Sequence, residues 1–405
     1  MNIKVLSWSG YDFANTIFSM NIVSRYFPVL AVTAMGASNL SIGISRSAAM
    51  ILVAVTVPIF GALADQYNNK KLPLVFFTMA CCLITAFLTQ TNILIIELIL
   101  FSLAIYCYQS ALTFYNALLP AVAPAGKMGY VSGLGVSLGY LGSVCGLFLV
   151  AILSSKIFSP YIWTAFLFFI FSIPLFIWVK DDKPSKTVTA GNHQRYSKGL
   201  IVSLKRASHI PGLIRFLLGR FFIVEAMETV ILFMAIYLVK AVGFSEGAKN
   251  TLGLDEVTAY LITVTSFTII GSFIWGLLTQ KYGPKKMLLW AVVLWLIALT
   301  GIVFSPGKLL FFLWGGLAGI GLGGVWTSDR PLLINLINDP GKLGEFFGLY
   351  ALSGRLAAVI GPLIWGLIVY FAEPLGTIKY KFAIEALFLM MVVGLIILRK
   401  IPDAR

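Results

Sequence analysis

The sequence predicts an all-α membrane protein with twelve transmembrane helices in two pseudo-symmetric six-helix bundles. Three observations carry that expectation. Of 405 residues, 59% are hydrophobic and 11% charged, against about 45–50% and about 25% in soluble domains; mean hydropathy is +0.93. The apolar residues fall in runs long enough to cross a hydrocarbon core about 30 Å thick, which takes about 20 helical residues. The second half of the chain also repeats the first.

The runs are taken in chain order. The first, 6–34, contains Trp8–Phe18, WSGYDFANTIF. It starts near Val5, is too long for a separate signal peptide and lacks a small-residue cleavage site, so it is expected to be a span. The second, 41–64, leads into GALADQYNNKK. The third and fourth, 73–91 and 94–119, are divided by a short polar turn. The fifth, 128–154, is glycine-rich, and the sixth, 160–179, starts at Pro160. Between 180 and 211 lies the one long polar stretch, KDDKPSKTVTAGNHQRYSKG and its continuation. Its Pro, Gly, Ser and Lys read as a linker. Six more runs follow, at 212–239, 255–279, 286–304, 308–333, 345–371 and 381–399. The expected organisation is an N-terminal bundle (1–179), a cytoplasmic linker (180–211) and a C-terminal bundle (212–405).

A single shift of 215 residues superposes Gly61, Leu63, Tyr67, Lys70 and Lys71 on Gly276, Leu278, Tyr282, Lys285 and Lys286. The same shift carries Gly129, Gly133 and Gly146 onto Gly344, Gly348 and Gly361. One offset serving two distant regions indicates an internal duplication.

The charge balance of +14 is spread over the loops, which argues for membrane orientation rather than nucleic acid. With both termini and the linker placed in the cytoplasm, the loops on that side carry Lys70, Lys71, Lys127, Lys281, Lys285, Lys286 and Lys342. The opposite side carries Lys156, Lys240, Lys249, Lys308, Lys379 and Lys381. Cys81, Cys82, Cys107 and Cys145 all lie in apolar runs without zinc spacing and are expected to pack, not to pair or bind metal.

The loop after the second run, with Gly61, Asp65 and the pair Lys70–Lys71, resembles the signature that major facilitator transporters carry after span two. Asn68 and Asn69 stand where that signature commonly has glycine and arginine. Four further segments are similar to the vacuolar amino-acid effluxer branch of that superfamily and its bacterial relatives: WSGYDFANTIF, FYNALLPAVAP from Phe114, GYVSGLGVSLGYLG from Gly129 and GEFFGLYALSGRLAAVIGPL from Gly344. They lie in both halves. The chain departs from the branch in span seven, where Glu225–Ala226 replaces an Asp-Gly pair, and in span ten, where Asp329 replaces a serine. The resemblance implies alternating access, with spans one, four, seven and ten around a central cavity.

Ionised groups at mid-bilayer cost roughly 2.5–3.5 kcal/mol on insertion scales and face bundle interiors or water. Asp12 lies roughly 9 Å into span one at about 1.5 Å per residue. Tyr11, Asn15, Phe18, Ile22 and Arg25 follow helical spacing and form one stripe that Asp12 borders. Under the resemblance that stripe faces the cavity, as a substrate or proton site; alternatively it makes structural pairs between helices. Expected substrate contacts are Tyr11, Asn15, Arg25, Gln109, Tyr115, Asn116, Tyr140, Trp326 and Arg355. Arg355 offers a planar fork for a carboxylate or phosphate. Asp12, Glu225 and Glu228 are the candidate proton carriers. Glu225 and Glu228, three residues apart, disfavour double ionisation, or are neutralised by Arg220 or Arg355. Gly61, Asp65, Lys70, Lys71, Asp329 and Arg330 are expected to gate. Glu97 and Glu385, near helix ends, are expected to snorkel. The glycines of GLGVSLGYLG lack the strand–turn–helix setting of a nucleotide fingerprint and read as close helix packing.

These observations favour a secondary transporter for a small zwitterionic or carboxylate-bearing solute, coupled to protons, with no cofactor and no nucleic-acid partner. A monomer in a bacterial inner membrane is expected. A larger cargo such as a siderophore or drug-like compound, and a sensor or scaffold on the same fold, are the alternatives. No Gly-Lys-Ser/Thr phosphate loop occurs. The histidines, His193 and His209, both lie in the linker region, so an intramembrane hydrolase is disfavoured.

Overall fold

A computed structural model describes residues 2–66, 69–123, 128–154, 159–179, 195–246, 253–305, 307–337 and 343–402. The helices are α1 (Ile3–Phe18), continued by a π-helical segment (Ser19–Tyr26) and α2 (Phe27–Thr33), then α3 (Asn39–Gln66), α4 (Lys71–Phe87), α5 (Leu94–Ala117), α6 (Leu119–Val122), α7 (Met128–Leu153) and α8 (Pro160–Trp178). The rest are α9 (Arg195–Ser208), α10 (Leu213–Tyr237), α11 (Glu256–Tyr282), α12 (Pro284–Phe304), α13 (Lys308–Ile337), α14 (Leu343–Phe371) and α15 (Ile378–Arg399). Among the described residues, ten helices are long and apolar enough to cross a membrane. The other two expected spans fall on α4, of 17 residues, and on α1–α2, interrupted by its π-helical segment.

Local chemistry sets the boundaries. Pro160 and Pro284 occupy the first helical position of α8 and α12, where a missing N–H costs nothing and φ is already helical. The π-helical segment of span one shifts its hydrogen-bond register; such segments concentrate at functional sites, and this one carries Arg25. The segment expected to be a plain linker instead contains α9, which packs against α14.

The chain forms two compact units, Met1–Thr187 with Leu232–Ile262, and Val188–Ile231 with Thr263–Arg405. The unit boundaries at 231/232 and 262/263 fall inside α10 and α11.

In unit 1, α1 packs against α7 and α8, α5 against α3 and α4, and α4 against α8. Glycines of α7 allow the closest of these approaches. A side chain at Gly142 would collide with the carbonyl of Phe13, and one at Gly139 would come within 3.3 Å of Thr16. Thr16 donates its hydroxyl to the Gly139 carbonyl at 2.7 Å. The expectation that these glycines serve packing is met. In unit 2, α12 lies against α13 and α15, and α14 against α15. Large apolar side chains remain exposed on both units, including Phe76, Leu83, Phe273, Leu313 and Phe371, as a lipid-facing surface requires and a soluble monomer avoids.

Candidate functional site

In unit 1, Asp12 is held on α1 by Asn15, whose amide donates to Oδ1 at 3.0 Å. The space facing it is the missing side chain of Gly135: a Cβ there would lie 2.6 Å from Asp12 Oδ2 and 3.2 Å from the Tyr115 hydroxyl. Trp8 stacks on Tyr115 at 4.3 Å and donates its indole N–H to the Tyr115 carbonyl at 3.0 Å.

The stripe of α1 is enclosed by neighbouring helices. Tyr11, Phe18 and Ile22 are 0% exposed, and Asn15 and Arg25 are 2% and 3%. Tyr11 donates to Thr78 at 2.7 Å, since the Thr78 hydroxyl gives its own proton to the Leu74 carbonyl. Its ring lies 4.9 Å from Tyr115. Phe18 meets Tyr108 and Phe168. Burying each large ring gains roughly 1.5–3 kcal/mol, so Tyr11 and Tyr115 help to hold the helices together, and Asp12 lies at the partly exposed margin of this face. Asn116 is exposed, and Gln109 and Tyr140 are half-buried.

Arg25, expected to contact cargo, lies elsewhere. Its Nη2 pairs with Asp255 at 3.0 Å and its Nε donates to Thr258 at 3.2 Å. Asp255 also accepts the Thr258 backbone N–H at 2.8 Å and so caps α11. Sequence reasoning missed it, although Asp just before an apolar helix is a readable N-cap signal. Glu97 does not snorkel. It is fully buried and accepts the backbone N–H groups of Thr89 and Thr91 at 2.7 and 3.0 Å. That clamp holds the α4–α5 turn, where Thr89 adopts φ 68°.

In unit 2, a guanidinium cluster stands on α10. Arg220 Nε pairs with Asp329 Oδ2 at 3.1 Å, and its guanidinium lies 3.7 Å over the Tyr350 ring and 6.0 Å from Trp326. Tyr350 donates its hydroxyl to the same Asp329 oxygen at 2.6 Å. Asp329 is 1% exposed, and its Oδ1 has no hydrogen-bond partner among the described residues. Arg220 is thus committed to Asp329 rather than to Glu225. Asp329, expected to gate, sits in a buried ion pair; Arg330 beside it is half-buried. Glu225 is fully buried and accepts the Gly361 backbone N–H, while Glu228 and Arg355 are half-buried. Gly61 and Asp65 fall within α3, but their side chains lie outside the described residues. Lys70 stands at the N-cap position of α4 without a side-chain capping bond, and Lys71 is the first residue of the helix.

The duplication now acquires a register. Glycines of α7 and α14 correspond by the 215-residue shift, Gly139 to Gly354 and Gly146 to Gly361. Gly139 faces Thr16 and Asp12, and Gly354 faces Arg220; Gly146 faces Ile17 and Asn21, and Gly361 faces Thr229 and Glu225. By the same shift Gly135 in one repeat corresponds to Tyr350 in the other.

Residues 41–405 match the family model described as vacuole effluxer Atg22-like. The chain belongs to this family. The Atg22-like chain is 26% identical to YxiO of Bacillus subtilis (strain 168), named as an MFS-type transporter, over 98% of this chain and 94% of that protein. It is 26% identical to autophagy-related protein 22 of Kluyveromyces lactis over 66% of this chain and 57% of that protein. Among solved structures, the nucleoside transporter NupG superposes with TM-score 0.73 at 13% identity, covering 98% of each chain. A bacterial homolog of the lysosomal transporter Spinster gives TM-score 0.72 at 14% identity over 100% and 97%. These structures share the fold. The Atg22-like protein is an all-helical membrane transporter of the MFS type.

Proposed function

We propose that the protein is a secondary active carrier of a small zwitterionic or carboxylate-bearing solute, driven by a proton gradient through alternating access. The observation that supports this reading is the buried cluster of unit 2, where Asp329 pairs with the Arg220 guanidinium at 3.1 Å and keeps its second oxygen without a partner among the described residues. A carboxylate and a guanidinium held together in the helix interior suit a solute bearing both charges better than a neutral sugar.

Arg355 and Arg220 are the proposed cargo cations, with Asn15, Gln109, Asn116, Tyr140 and Trp326 as polar and stacking contacts. Asp12, Glu225 and Glu228 remain the proposed proton carriers, and Asp329 joins them. Protonating Asp329 would remove the counter-charge of Arg220 and free its guanidinium for a cargo carboxylate. The loop lysines favour an orientation with both termini cytoplasmic, and a bacterial inner membrane is the proposed location.

Flux of labelled amino and organic acids in proteoliposomes tests the reading. Uptake or release that falls about tenfold when a protonophore collapses the pH gradient is the expected result. Flux indifferent to the gradient would end the coupling claim, and no flux of any carboxylate-bearing solute would end the cargo claim.

A further inference from the structure

Unit 1 contains a second polar region that the transport reading does not use. A cavity of about 440 Å³ is lined by Arg25, Tyr26, Ser159, Tyr161, Glu246 and Asp255 among others, within the range of small-molecule sites. Two of its charges cancel: Arg25 is tied to Asp255 at 3.0 Å and to Thr258. The carboxylate of Glu246, exposed at the rim, has no hydrogen-bond or ion-pair partner among the described residues.

Two hydroxyls in the wall are also unsatisfied. Tyr161 is 3% exposed, and its hydroxyl and that of Ser159 are buried without a hydrogen-bond partner. Ser159 stands at the N-cap of α8 yet makes no capping bond with its side chain. Buried hydroxyls are ordinarily bonded, so each such group calls for an explanation.

The geometry points to a binding site in this cavity for a small primary ammonium ion, with Glu246 as its counter-ion and Ser159 and Tyr161 as hydrogen-bond acceptors. An ammonium group has three N–H donors in tetrahedral array, matching one carboxylate and two hydroxyls. An anion fits less well: it would meet Glu246 and Asp255, while the guanidinium is already engaged. A divalent metal asks for six or more oxygen ligands at close range, which these three groups do not supply. The proposal goes beyond the transport reading and does not depend on it.

Charged and titratable groups around Glu246 come from several elements: Arg25 on the π-helical segment of span one, Lys240 after α10, Asp255 before α11 and Tyr161 on α8. Burial is the largest influence on the Glu246 carboxyl and moves it above the ordinary carboxylate range, with Arg25 and Lys240 opposing and Asp255 assisting. Binding requires the ionised carboxylate. It is therefore present above that pKa and lost as pH falls, beginning at a higher pH than for a freely exposed glutamate.

The test is calorimetric titration of the full chain in nanodiscs with ethylammonium and tetramethylammonium, at fixed ionic strength set by sodium chloride. Saturable ethylammonium binding is expected in the wild type, at least tenfold weaker in Glu246→Gln and several-fold weaker in Tyr161→Phe. Tetramethylammonium, which has no N–H, should not bind. Glu246 is at the rim, so its variant should retain the wild-type unfolding temperature without ligand. No saturable ethylammonium binding, equal affinity in Glu246→Gln, or equal binding of tetramethylammonium would each overturn the site. The assay measures no flux, so its failure leaves the carrier reading intact, and failure of the carrier reading leaves this one intact.

Discussion

Arg220 on α10 closes on Asp329, 109 residues further along the chain on α13, with Nε to Oδ2 at 3.1 Å. Both side chains are buried, at 6% and 1% exposure. At this depth the two members are not independent. Removing either charge leaves the other desolvated, which costs about 3–5 kcal/mol, whereas replacing both by apolar groups of similar size is often neutral. Asp329→Asn should therefore lower the unfolding temperature in detergent markedly, and Arg220→Met with Asp329→Leu should restore most of the loss. Additive losses in the double variant would show that the pair is not coupled.

Tyr350 contributes to the same cluster in two separable ways, by its hydroxyl to Asp329 at 2.6 Å and by its ring under Arg220. Tyr350→Phe removes only the hydroxyl and should cost about 1.5–3 kcal/mol, the usual range for a hydrogen bond to a charged group. Tyr350→Leu should cost more, since the cation–π contact goes too. Equal unfolding temperatures for the two variants would remove the ring from the account.

How far the sequence alone leads depends on the kind of signal. Hydropathy placed the helices because twenty apolar residues have few other destinies, and the glycine spacing of α7 indicated close packing, which Gly139 and Gly142 make against α1 and Gly133 does not. Helical periodicity grouped Tyr11 with Asn15 and Phe18, yet it cannot say whether water or another helix covers that face. Here Thr78, Tyr108, Tyr115 and Phe168 do. Likewise, the pattern offered Arg220 the nearby acids Glu225 and Glu228, and only tertiary structure brings it Asp329, 109 residues along the chain. The Lys- and Ser-rich composition of 195–208 concealed α9, because its apolar positions are too few to stand out from a linker.

Asp255 allows its two tasks to be separated. It pairs with Arg25 and caps α11 through the Thr258 N–H. Asp255→Asn keeps a capping oxygen but loses the ion pair; Asp255→Ala loses both. Thermal unfolding should rank wild type above Asn and Asn above Ala, with the Asn-to-Ala step about 1 kcal/mol, typical of an N-cap. Indistinguishable Asn and Ala variants would mean that the cap contributes nothing.

Two glycines of one helix should respond in opposite directions to the same substitution. A methyl at Gly142 would meet the Phe13 carbonyl, whereas a methyl at Gly133 has nothing within 4 Å. Gly142→Ala must push α1 from α7 and should destabilise the protein. Gly133→Ala should be neutral or gain about 0.5–1 kcal/mol, because alanine loses less freedom in a helix. Similar unfolding temperatures for the two would remove close α1–α7 packing as the role of these glycines.

Transport variants separate proton from cargo. Glu225→Gln keeps an oxygen able to accept the Gly361 N–H, so the fold should persist while the titratable group is lost. Proton-driven flux should fall at least tenfold, with exchange of cargo across equal pH retained. That split distinguishes a lost proton carrier from a damaged site, since damage would reduce both. Arg355→Lys makes the complementary change: it keeps the charge but loses the planar fork that binds a carboxylate through two parallel hydrogen bonds. Its half-saturation for cargo should rise several-fold with the maximal proton-driven rate little changed. Undiminished proton-driven flux in Glu225→Gln would clear Glu225 of the proton role, and unaltered half-saturation in Arg355→Lys would place cargo recognition on other residues.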